Sequence, residues 1–264
     1  MSGEPSPNGE LPHLSFTRID KYLECPEQYR LYYLEGLRPR VPSGNLLFGH
    51  AIHQSLAYLL TTGGDPVAFF RKLWFEAAKS QIVQFSARVS WTTLSTTGEM
   101  LLQKFEGEEL PKLGNVVASE RSFDLAIPNV DVPFIGVIDL VSQKEDKLRI
   151  TDFKTSSSSY SPHDVALSDQ LTAYSLAEPE ATEASLCVFV KTKEPRIEWH
   201  VSKRSGKSLE EFLKKAEYVA REINARHFYK RPGKWCSWCD FLPICMGNEA
   251  KASETLIHVS QERP

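Results

Sequence analysis

Two acidic residues and a lysine stand in predicted β-strands, at positions where they could bind a divalent cation. Asp152 and Lys154 are separated by one residue, so alternation along a strand places their side chains on the same face. Asp139 lies in an apolar run of the preceding predicted strand, where a charge is costly unless it is paired or bound to metal. Antiparallel pairing of these strands would bring Asp139 beside Asp152. Hard oxygen ligands of this kind favour Mg²⁺ or Mn²⁺.

A cation at this position would support hydrolysis of a phosphate ester. The metal would lower the pKa of a bound water and polarise the phosphate. Lys154 would orient the nucleophile or stabilise negative charge in the transition state. Asp152 and Lys154 taken alone are more typical of a structural ion pair, and only together with Asp139 do they indicate a metal site equally well. Similar triplets occur at residues 145–147 and 249–251, but no acidic residue lies in an apolar strand before them.

Four other polar residues could extend this site. His53 lies in a predicted helix and is a candidate metal ligand, although a single histidine is also typical of ordinary packing. Gln170 and Tyr174 are four residues apart and share one face of a later helix, where they could contact DNA or simply pack. Glu120 lies on the first predicted strand and could support the site.

Four of the five cysteines have the spacing of a metal or cluster site. Cys236, Cys239 and Cys245 form a C-x2-C-x5-C pattern, and Cys25 is the natural fourth ligand. Four thiolates suit either Zn²⁺ or a [4Fe–4S] cluster, and the spacing leaves both open. Such a site would join distant parts of the chain and could stabilise the fold by about 5 kcal/mol. Cys187 lies in an apolar run and is expected in the core.

The hydrophobic pattern predicts a mixed α/β (α+β) fold. Apolar residues at helical spacing predict helices over residues 16–34, interrupted at Pro26, and over 48–60, from 65 on, 98–110, 162–177 and 209–227. Strands are predicted over 116–127, 133–141, 147–154, 185–190 and 196–201, the first three as an antiparallel meander. The order of helices, strands, helix and strand favours a sheet with helices on its faces.

Composition is that of an ordinary globular chain. The 264 residues carry a net charge of −3, with Lys and Arg outnumbering Glu between residues 191 and 234. That basic stretch could grip phosphates or simply be solvated. We expect flexible tails at residues 1–13 and 249–264 around a single domain over 14–248. No membrane-spanning run and no signal peptide are recognised, so we expect a cytoplasmic protein without a membrane partner.

The ordered motifs resemble those of the RecB-family branch of the PD-(D/E)XK nucleases. They are, in chain order, Gly49 to His53, Gly136-Val137-Ile138-Asp139, Asp152-Phe153-Lys154-Thr155, and Gln170 to Tyr174. The cysteine pattern is similar to that of the iron–sulfur members, which include AddB-type nuclease domains and CRISPR-associated adaptation nucleases. The proline that often precedes the first aspartate is absent, because Ile138 stands there.

The resemblance implies a restriction-endonuclease-like core and a role for each motif residue. His53, Asp139, Asp152 and the Phe153 backbone carbonyl would bind metal, with Asp139, Asp152 and Lys154 catalytic. Gln170 and Tyr174 would lie on the DNA side. The four cysteines would hold a [4Fe–4S] cluster in a helical subregion formed by both chain ends, with Zn²⁺ as the alternative.

The function implied is metal-dependent hydrolysis of DNA. We expect an exonuclease on single-stranded DNA or DNA ends, working in DNA repair, recombination or CRISPR adaptation. A helicase or a CRISPR integration protein is the expected partner. The alternative is a catalytically silent module that binds DNA or assembles a helicase–nuclease or CRISPR complex.

Overall fold

The helices follow the predicted apolar periodicity in a computed structural model that describes residues 11–80, 82–86 and 89–259. They are α1 Phe16–Glu24, α2 Pro26–Tyr29, α3 Gly44–Thr62, α4 Pro66–Ser80, α5 Trp91–Lys104, α6 Pro162–Ala166, α7 Asp169–Ala177, α8 Gly206–Asn224, α9 Leu242–Cys245 and α10 Glu249–Thr255. Among them, none combines the length and the apolar character that crossing a membrane requires.

The strands form one large mixed sheet and one small sheet. They are β1 Leu37–Pro39, β2 Asn115–Leu125, β3 Phe134–Lys144, β4 Lys147–Ser156, β5 Glu183–Val190, β6 Arg196–Ser202 and β7 Leu256–His258. The large sheet has the order β2-β3-β4-β5-β6, and β1 pairs with β7. Pairing is antiparallel for β3–β4 and β5–β6 but parallel for β4–β5. The predicted α/β fold with a mixed sheet flanked by helices is confirmed.

The parallel pair at the centre of the sheet requires a crossover. Antiparallel strands can be joined by a tight turn, as β3 and β4 are, but parallel neighbours need a longer connection. Between β4 and β5 the chain runs through α6 and α7 and returns to pair Asp152 with Leu186. The crossover therefore lays α7 against the strand that carries the predicted catalytic residues.

The chain divides into two compact units. The sheet unit comprises Pro42–Phe123 and Val137–Leu209, and the terminal unit comprises the described parts of residues 1–41, 124–136 and 210–264. In the sheet unit, two apolar cores cover opposite faces of the sheet. One contains Phe48, Phe70 and Phe153, with residues of α3, α4 and α5; Cys187 is buried in it, as expected. The other contains Ile150, Leu171 and Val188.

The chain end differs from the flexible tail expected over residues 249–264. Residues 249–258 form α10 and β7, while 260–264, like residues 1–10 at the other end, lie outside the described part. Leu256 is buried with Leu31 and Leu37 in a small core of the terminal unit. The Arg40 guanidinium donates to the carbonyls of Ser253, Glu254 and Leu256. The polar composition of the segment concealed this single apolar anchor. Leu11, expected in the first tail, is also buried.

Two helix boundaries differ from the sequence prediction, each because of a capping side chain. At α1, which begins at Phe16 as predicted, the Ser15 hydroxyl accepts from the Arg18 backbone N–H. Ser90 caps α5 in a reciprocal capping box, so that helix begins at Trp91 instead of 98. The helix predicted over 162–177 is two helices, because Ser168 starts α7 by accepting from Leu171. A serine hydroxyl satisfies the exposed N–H groups of a helix start, which apolar periodicity does not register.

A substitution in α5 should test how tightly the helical layer is packed. A methyl group on Gly98 would lie 2.4 Å from the buried Phe70 ring, which is itself held by Phe48 and Trp74. We expect Gly98→Ala to lower the free energy of unfolding by about 1–3 kcal/mol, even though alanine favours a helix. Gly107→Ala is the matched control, because nothing lies within 4 Å of the added methyl group. Equal stability of the two variants in urea unfolding would contradict this packing.

Candidate active site

Strands β3 and β4 hold the two predicted acidic residues next to each other. Leu140 pairs with Thr151, and the same antiparallel register sets Asp139 beside Asp152. Both side chains are withdrawn from solvent, with Asp139 7 % and Asp152 1 % exposed. The Asp139 carboxylate accepts a hydrogen bond of 2.7 Å from the Phe153 backbone N–H. The Asp139 side chain thus accepts a backbone hydrogen bond from the neighbouring strand β4 at the candidate site.

Because Asp152 is buried, its negative charge is unfavourable unless a positive charge lies nearby. Burial raises the pKa of the Asp152 carboxyl, and the nearby Asp139 charge raises it further, while Lys154 lowers it. The Lys154 ammonium lies 2.8 Å from Asp152 Oδ2. Burial lowers the pKa of Lys154, but the charge of Asp152, its hydrogen bond to Lys154 and the charge of Asp139 together outweigh burial, and the net shift is upward. Lys154 therefore remains a cation at neutral pH.

The Lys154 side chain belongs to a closed ring of polar contacts that also includes Gln170, Tyr174 and Asp152. Its ammonium donates to Gln170 Oε1 at 2.7 Å, and Gln170 Nε2 donates to the Tyr174 hydroxyl at 2.9 Å. Tyr174 in turn donates to Asp152 Oδ1 at 3.3 Å, and Asp152 Oδ2 meets Lys154. Burial raises the pKa of Tyr174, so its hydroxyl keeps its proton. The ring fixes Lys154 between two acceptors.

This ring places Gln170 and Tyr174 inside the site rather than on an open surface. Both lie on α7, four residues apart, which sets their side chains one above the other. Tyr174 is buried in the core beneath the helix and also packs edge-on against Phe123. Its hydroxyl is fully committed to protein partners. The structure therefore brings both residues to Asp152 and Lys154, whereas the sequence suggested contact with DNA.

Helix α3 supplies His53 from the other side of the site. His53 Nδ1 lies 3.5 Å from Asp139 Oδ2, and its ring packs edge-on against Phe153. Burial lowers the pKa of His53, but its contact with Asp139 outweighs burial and raises it overall. Gly49, one turn earlier, allows the helix to approach β4, because a methyl group there would lie 3.2 Å from the Thr155 hydroxyl. The sequence motif from Gly49 to His53 thus has a packing reason.

Glu120 reaches this site through an unusual backbone conformation. Its φ of 52° lies in the left-handed region, which costs energy for any residue but glycine. Burial raises the pKa of its carboxyl, Asp139 raises it further and His53 lowers it. The preceding Ser119 hydroxyl donates to the Asp139 carbonyl at 3.2 Å. No sequence pattern distinguishes a left-handed glutamate within a strand, so this geometry was not predictable.

The donor atoms at this site suit a divalent cation, although they do not form a complete ligand set as they stand. In the described part of the chain, no group of three or more His, Cys, Asp or Glu side chains is arranged to hold a metal ion. Asp139 is hydrogen bonded to the backbone, and Asp152 is paired with Lys154. Buried Asp152 Oδ2 has the Lys154 ammonium 2.8 Å away and no other hydrogen-bond partner among the described residues. The two carboxylates match the hard oxygen ligands that Mg²⁺ and Mn²⁺ prefer.

The four candidate cysteines lie together in the terminal unit. They are free thiols, and all four are partly exposed. Burial raises the pKa of the Cys239 thiol, and Cys245 and Cys25 raise it further. Gly233 N–H donates to Cys236 Sγ at 3.5 Å, and the Phe241 backbone N–H bonds Cys239. These backbone donors would favour a thiolate at either sulfur, but among the described residues no group of three or more such side chains is placed to hold a metal ion.

The two ends of the terminal unit are also joined by contacts that need no metal. The Tyr22 hydroxyl donates to the His227 carbonyl at 2.7 Å. The Glu27 backbone N–H donates to the Tyr229 carbonyl at 3.1 Å. Within the last segment itself, Lys230 donates to the Cys245 carbonyl at 2.9 Å. A cluster would therefore reinforce an existing junction.

The sequence did not indicate an open groove along one face of α3. The groove encloses about 900 Å³ and contains His53, Glu120 and Thr155 at the candidate site. Beyond the site its walls include Tyr58 and Phe69. The available signal was the series Asn45, Gly49, His53, Ala57 and Thr61, in which a small or polar side chain stands at every fourth position of the helix.

Comparison with known proteins identifies the family. The family model of the PD-(D/E)XK nuclease superfamily matches residues 13–246. The chain belongs to this superfamily. No curated protein sequence matches significantly.

Two solved structures resemble the fold. A crystal structure described as "Putative exonuclease" from Eubacterium rectale has a TM-score of 0.55 and 11 % identity, with 96 % of this chain and 90 % of that chain covered. The crystal structure of SSO0001 has a TM-score of 0.39 and 13 % identity, with 88 % and 93 % covered. At this identity the first likeness shows the fold alone.

Removal of the Tyr174 hydroxyl should test the ring. Tyr174→Phe removes the donor to Asp152 and leaves the partly buried Gln170 amide without its acceptor. We expect the free energy of unfolding to fall by about 1–3 kcal/mol in denaturant titrations. Tyr160→Phe is the control, since Tyr160 packs against the same core without a described hydrogen bond from its hydroxyl. If the two variants lose equal stability, the ring does not contribute as described.

Proposed function

We propose that this protein is a metal-dependent deoxyribonuclease that hydrolyses phosphodiester bonds, acting as an exonuclease on single-stranded DNA or DNA ends. The observation that carries the proposal is the buried pair Asp139 and Asp152, with Lys154 held as a cation beside them. A buried acidic pair is unfavourable without compensating positive charge. Membership in a nuclease superfamily supports the same function.

Each site residue receives a role in this proposal. Asp139, Asp152, His53 and the Phe153 carbonyl would hold Mg²⁺ or Mn²⁺. When bound, the ion would activate a water and polarise the scissile phosphate. Lys154 would orient the nucleophile or stabilise negative charge that develops on the phosphate. Gln170 and Tyr174 would keep the Lys154 ammonium in place, and Glu120 would support the site from β2.

The biological setting is proposed from the resemblance to the RecB-family branch. We propose an intracellular enzyme of DNA repair, recombination or CRISPR adaptation, with a helicase or a CRISPR integration protein as partner. The sequence contains no G-x-x-x-x-G-K phosphate loop, so this chain would not itself supply a helicase motor. We further propose that residues 14–248 act as one nuclease domain.

A catalytically silent DNA-binding or assembly module is the second candidate. One observation favours it: the carboxylates of the site already have protein partners, since Asp139 accepts from Phe153 and Asp152 pairs with Lys154. DNA binding without metal-dependent cleavage would support this candidate. Retention of two buried carboxylates side by side argues against it, because burial of charge lowers stability unless it is compensated.

Substitution of Lys154 should separate these two candidates. With Mg²⁺ or Mn²⁺ and end-labelled single-stranded DNA, we expect Lys154→Ala to slow cleavage by about 100- to 1000-fold, because charge stabilisation is lost. Asp139→Asn and Asp152→Asn should be similarly impaired. Lys147→Ala is the control, since Lys147 ends a similar acidic triplet but lies exposed at a turn.

The cleavage assay has two informative results besides the expected one. If wild type and Lys154→Ala show the same negligible cleavage with either metal, the enzymatic function is wrong. If Lys147→Ala loses as much activity as Lys154→Ala, the assignment of the site is wrong. Digestion of substrates labelled at either end would also give the polarity of cleavage.

We propose that Cys25, Cys236, Cys239 and Cys245 hold a [4Fe–4S] cluster, with Zn²⁺ as the alternative. The proposal is supported by their spacing, by the influence of Cys25 and Cys245 on the Cys239 thiol and by backbone donors aimed at Cys236 and Cys239. The role would be structural, because the site would reinforce the junction between the first helices and the last segment.

Metal analysis of cysteine variants should test this proposal. Anaerobically purified protein should be brown and contain iron and acid-labile sulfide in equal amounts, and Cys239→Ser should lose both. Cys187→Ala should retain them, because Cys187 is buried in the core of the sheet unit. A colourless protein with stoichiometric zinc would favour the alternative. Absence of iron and zinc from protein purified under these conditions would contradict both.

A further inference from the structure

The groove along α3 extends well beyond the residues of the candidate site. Its floor repeats every fourth residue from Asn45 through Gly49, His53 and Ala57 to Thr61, so it follows one face of the helix. With a rise of 1.5 Å per residue, this face is about 24 Å long. His53 lies at its midpoint, about 12 Å from either end. The groove therefore passes the candidate site and continues on both sides.

One end of the groove presents an aromatic pair. The rings of Tyr58 and Phe69 are stacked, with centroids 4.3 Å apart and planes inclined by 9°. Gly64 leaves space for this arrangement, because a methyl group there would lie 2.4 Å from the Tyr58 ring. Both rings line the groove and are only partly buried. Planar groups that are stacked and partly exposed are suited to receive the face of a nucleobase.

Beside the opposite end, at the lining residue Asn45, lies the cation Lys191, which pairs with no carboxylate among the described residues. Lys191 Nζ donates to Asn45 Oδ1 at 2.7 Å and lies 5.5 Å from the centre of the Phe48 ring. The Lys191 backbone N–H donates to the Ser156 carbonyl at 2.8 Å, which fixes the Lys191 backbone just after the end of β5. Burial lowers the pKa of Lys191, and among the described residues no carboxylate pairs with it. A phosphate would supply the missing negative charge.

We propose that the α3 groove binds one single strand of nucleic acid, with a base stacked on the Tyr58–Phe69 pair and a backbone phosphate at Lys191. This inference rests on the proposed nuclease function and assigns the residues that would bind a single-stranded substrate. A single strand exposes base faces and phosphates together, whereas a duplex buries the base faces in its own stack. The strand would cross the candidate site between these two contacts.

The walls of the groove are consistent with such an occupant. Its middle contains polar groups, where His50 and Gln54 are hydrogen bonded at 2.9 Å and Thr155 lies close to Gly49. Its aromatic end is apolar, which suits a base but gives nothing to a phosphate. A negatively charged small molecule would need only the Lys191 end. The combination of both ends is what indicates a strand.

Binding measured without cleavage tests the inference directly. Fluorescein-labelled oligodeoxythymidine is titrated with the full chain in EDTA, and affinity is followed by anisotropy over a range of salt concentrations. Tyr58→Leu should weaken binding by about tenfold or more without changing the salt dependence. Tyr58→Phe should bind like wild type. Lys191→Gln should weaken binding and reduce the salt slope by about 0.7.

Two controls keep the result independent of folding defects. Tyr218→Leu removes an exposed tyrosine that does not line the groove and should bind normally. An oligonucleotide whose bases are removed in its central part should bind wild-type protein about as weakly as Tyr58→Leu binds the intact one. This measurement decides the stacking contact even if Tyr58→Leu does not fold. Duplex DNA of the same length should compete poorly.

The outcomes separate this inference from the proposed nuclease function. Wild-type affinity of both Tyr58→Leu and Lys191→Gln would overturn the inference, whether or not the protein cleaves DNA. Tight binding of the abasic oligonucleotide, or equally tight binding of duplex, would also overturn it. Groove-dependent binding together with absent cleavage would leave the inference intact and refute only the enzymatic function.

Discussion

The burial of two carboxylates side by side is the constraint around which the sheet unit is organised. Asp139 and Asp152 lie on adjacent strands, and neither has enough contact with water to stabilise its charge there. Each is therefore compensated from a different direction: Asp139 by the Phe153 backbone and His53, and Asp152 by Lys154 and Tyr174. These partners lie on α3, β4 and α7. The two helices that flank the sheet therefore also supply side chains that stabilise the buried acidic pair.

The same arrangement explains why α7 follows β4 in the chain. A parallel neighbour for β4 demands a crossover, and the crossover helix returns across the strand that carries the acid and the lysine. Topology thus delivers Gln170 and Tyr174 to Lys154 without a dedicated loop. Helix α3 reaches the opposite side because Gly49 permits close approach to Thr155. The site is held by regular elements, which fix side chains more firmly than loops do.

Much of this organisation could be predicted from periodicity and composition. Alternation placed Asp152 and Lys154 on one face, an apolar run placed Asp139 next to them, and a four-residue interval put Gln170 beside Tyr174. The direction in which Gln170 and Tyr174 turn was not predictable, because it depends on the crossover. The left-handed conformation of Glu120 and the folded segment around Leu256 were also missed, since each depends on partners distant in sequence. Local patterns report faces and ends of elements; they do not report which element packs on which.

The hydrogen bonds of the ring that contains Lys154 run in one direction from Lys154 through Gln170 and Tyr174 to Asp152, because the Lys154 ammonium can only donate. An ammonium can only give hydrogens, so Gln170 must turn its oxygen toward Lys154 and its amino group toward Tyr174. Tyr174 has a single proton, and once it accepts from Gln170 that proton points to Asp152. Rotation of the amide would bring two hydrogen-bearing nitrogens face to face. The positive charge of Lys154 therefore fixes the orientation of the Gln170 amide, which it contacts, and of the Tyr174 hydroxyl, which lies one contact further on. The donor and acceptor roles of these side chains all follow from the lysine.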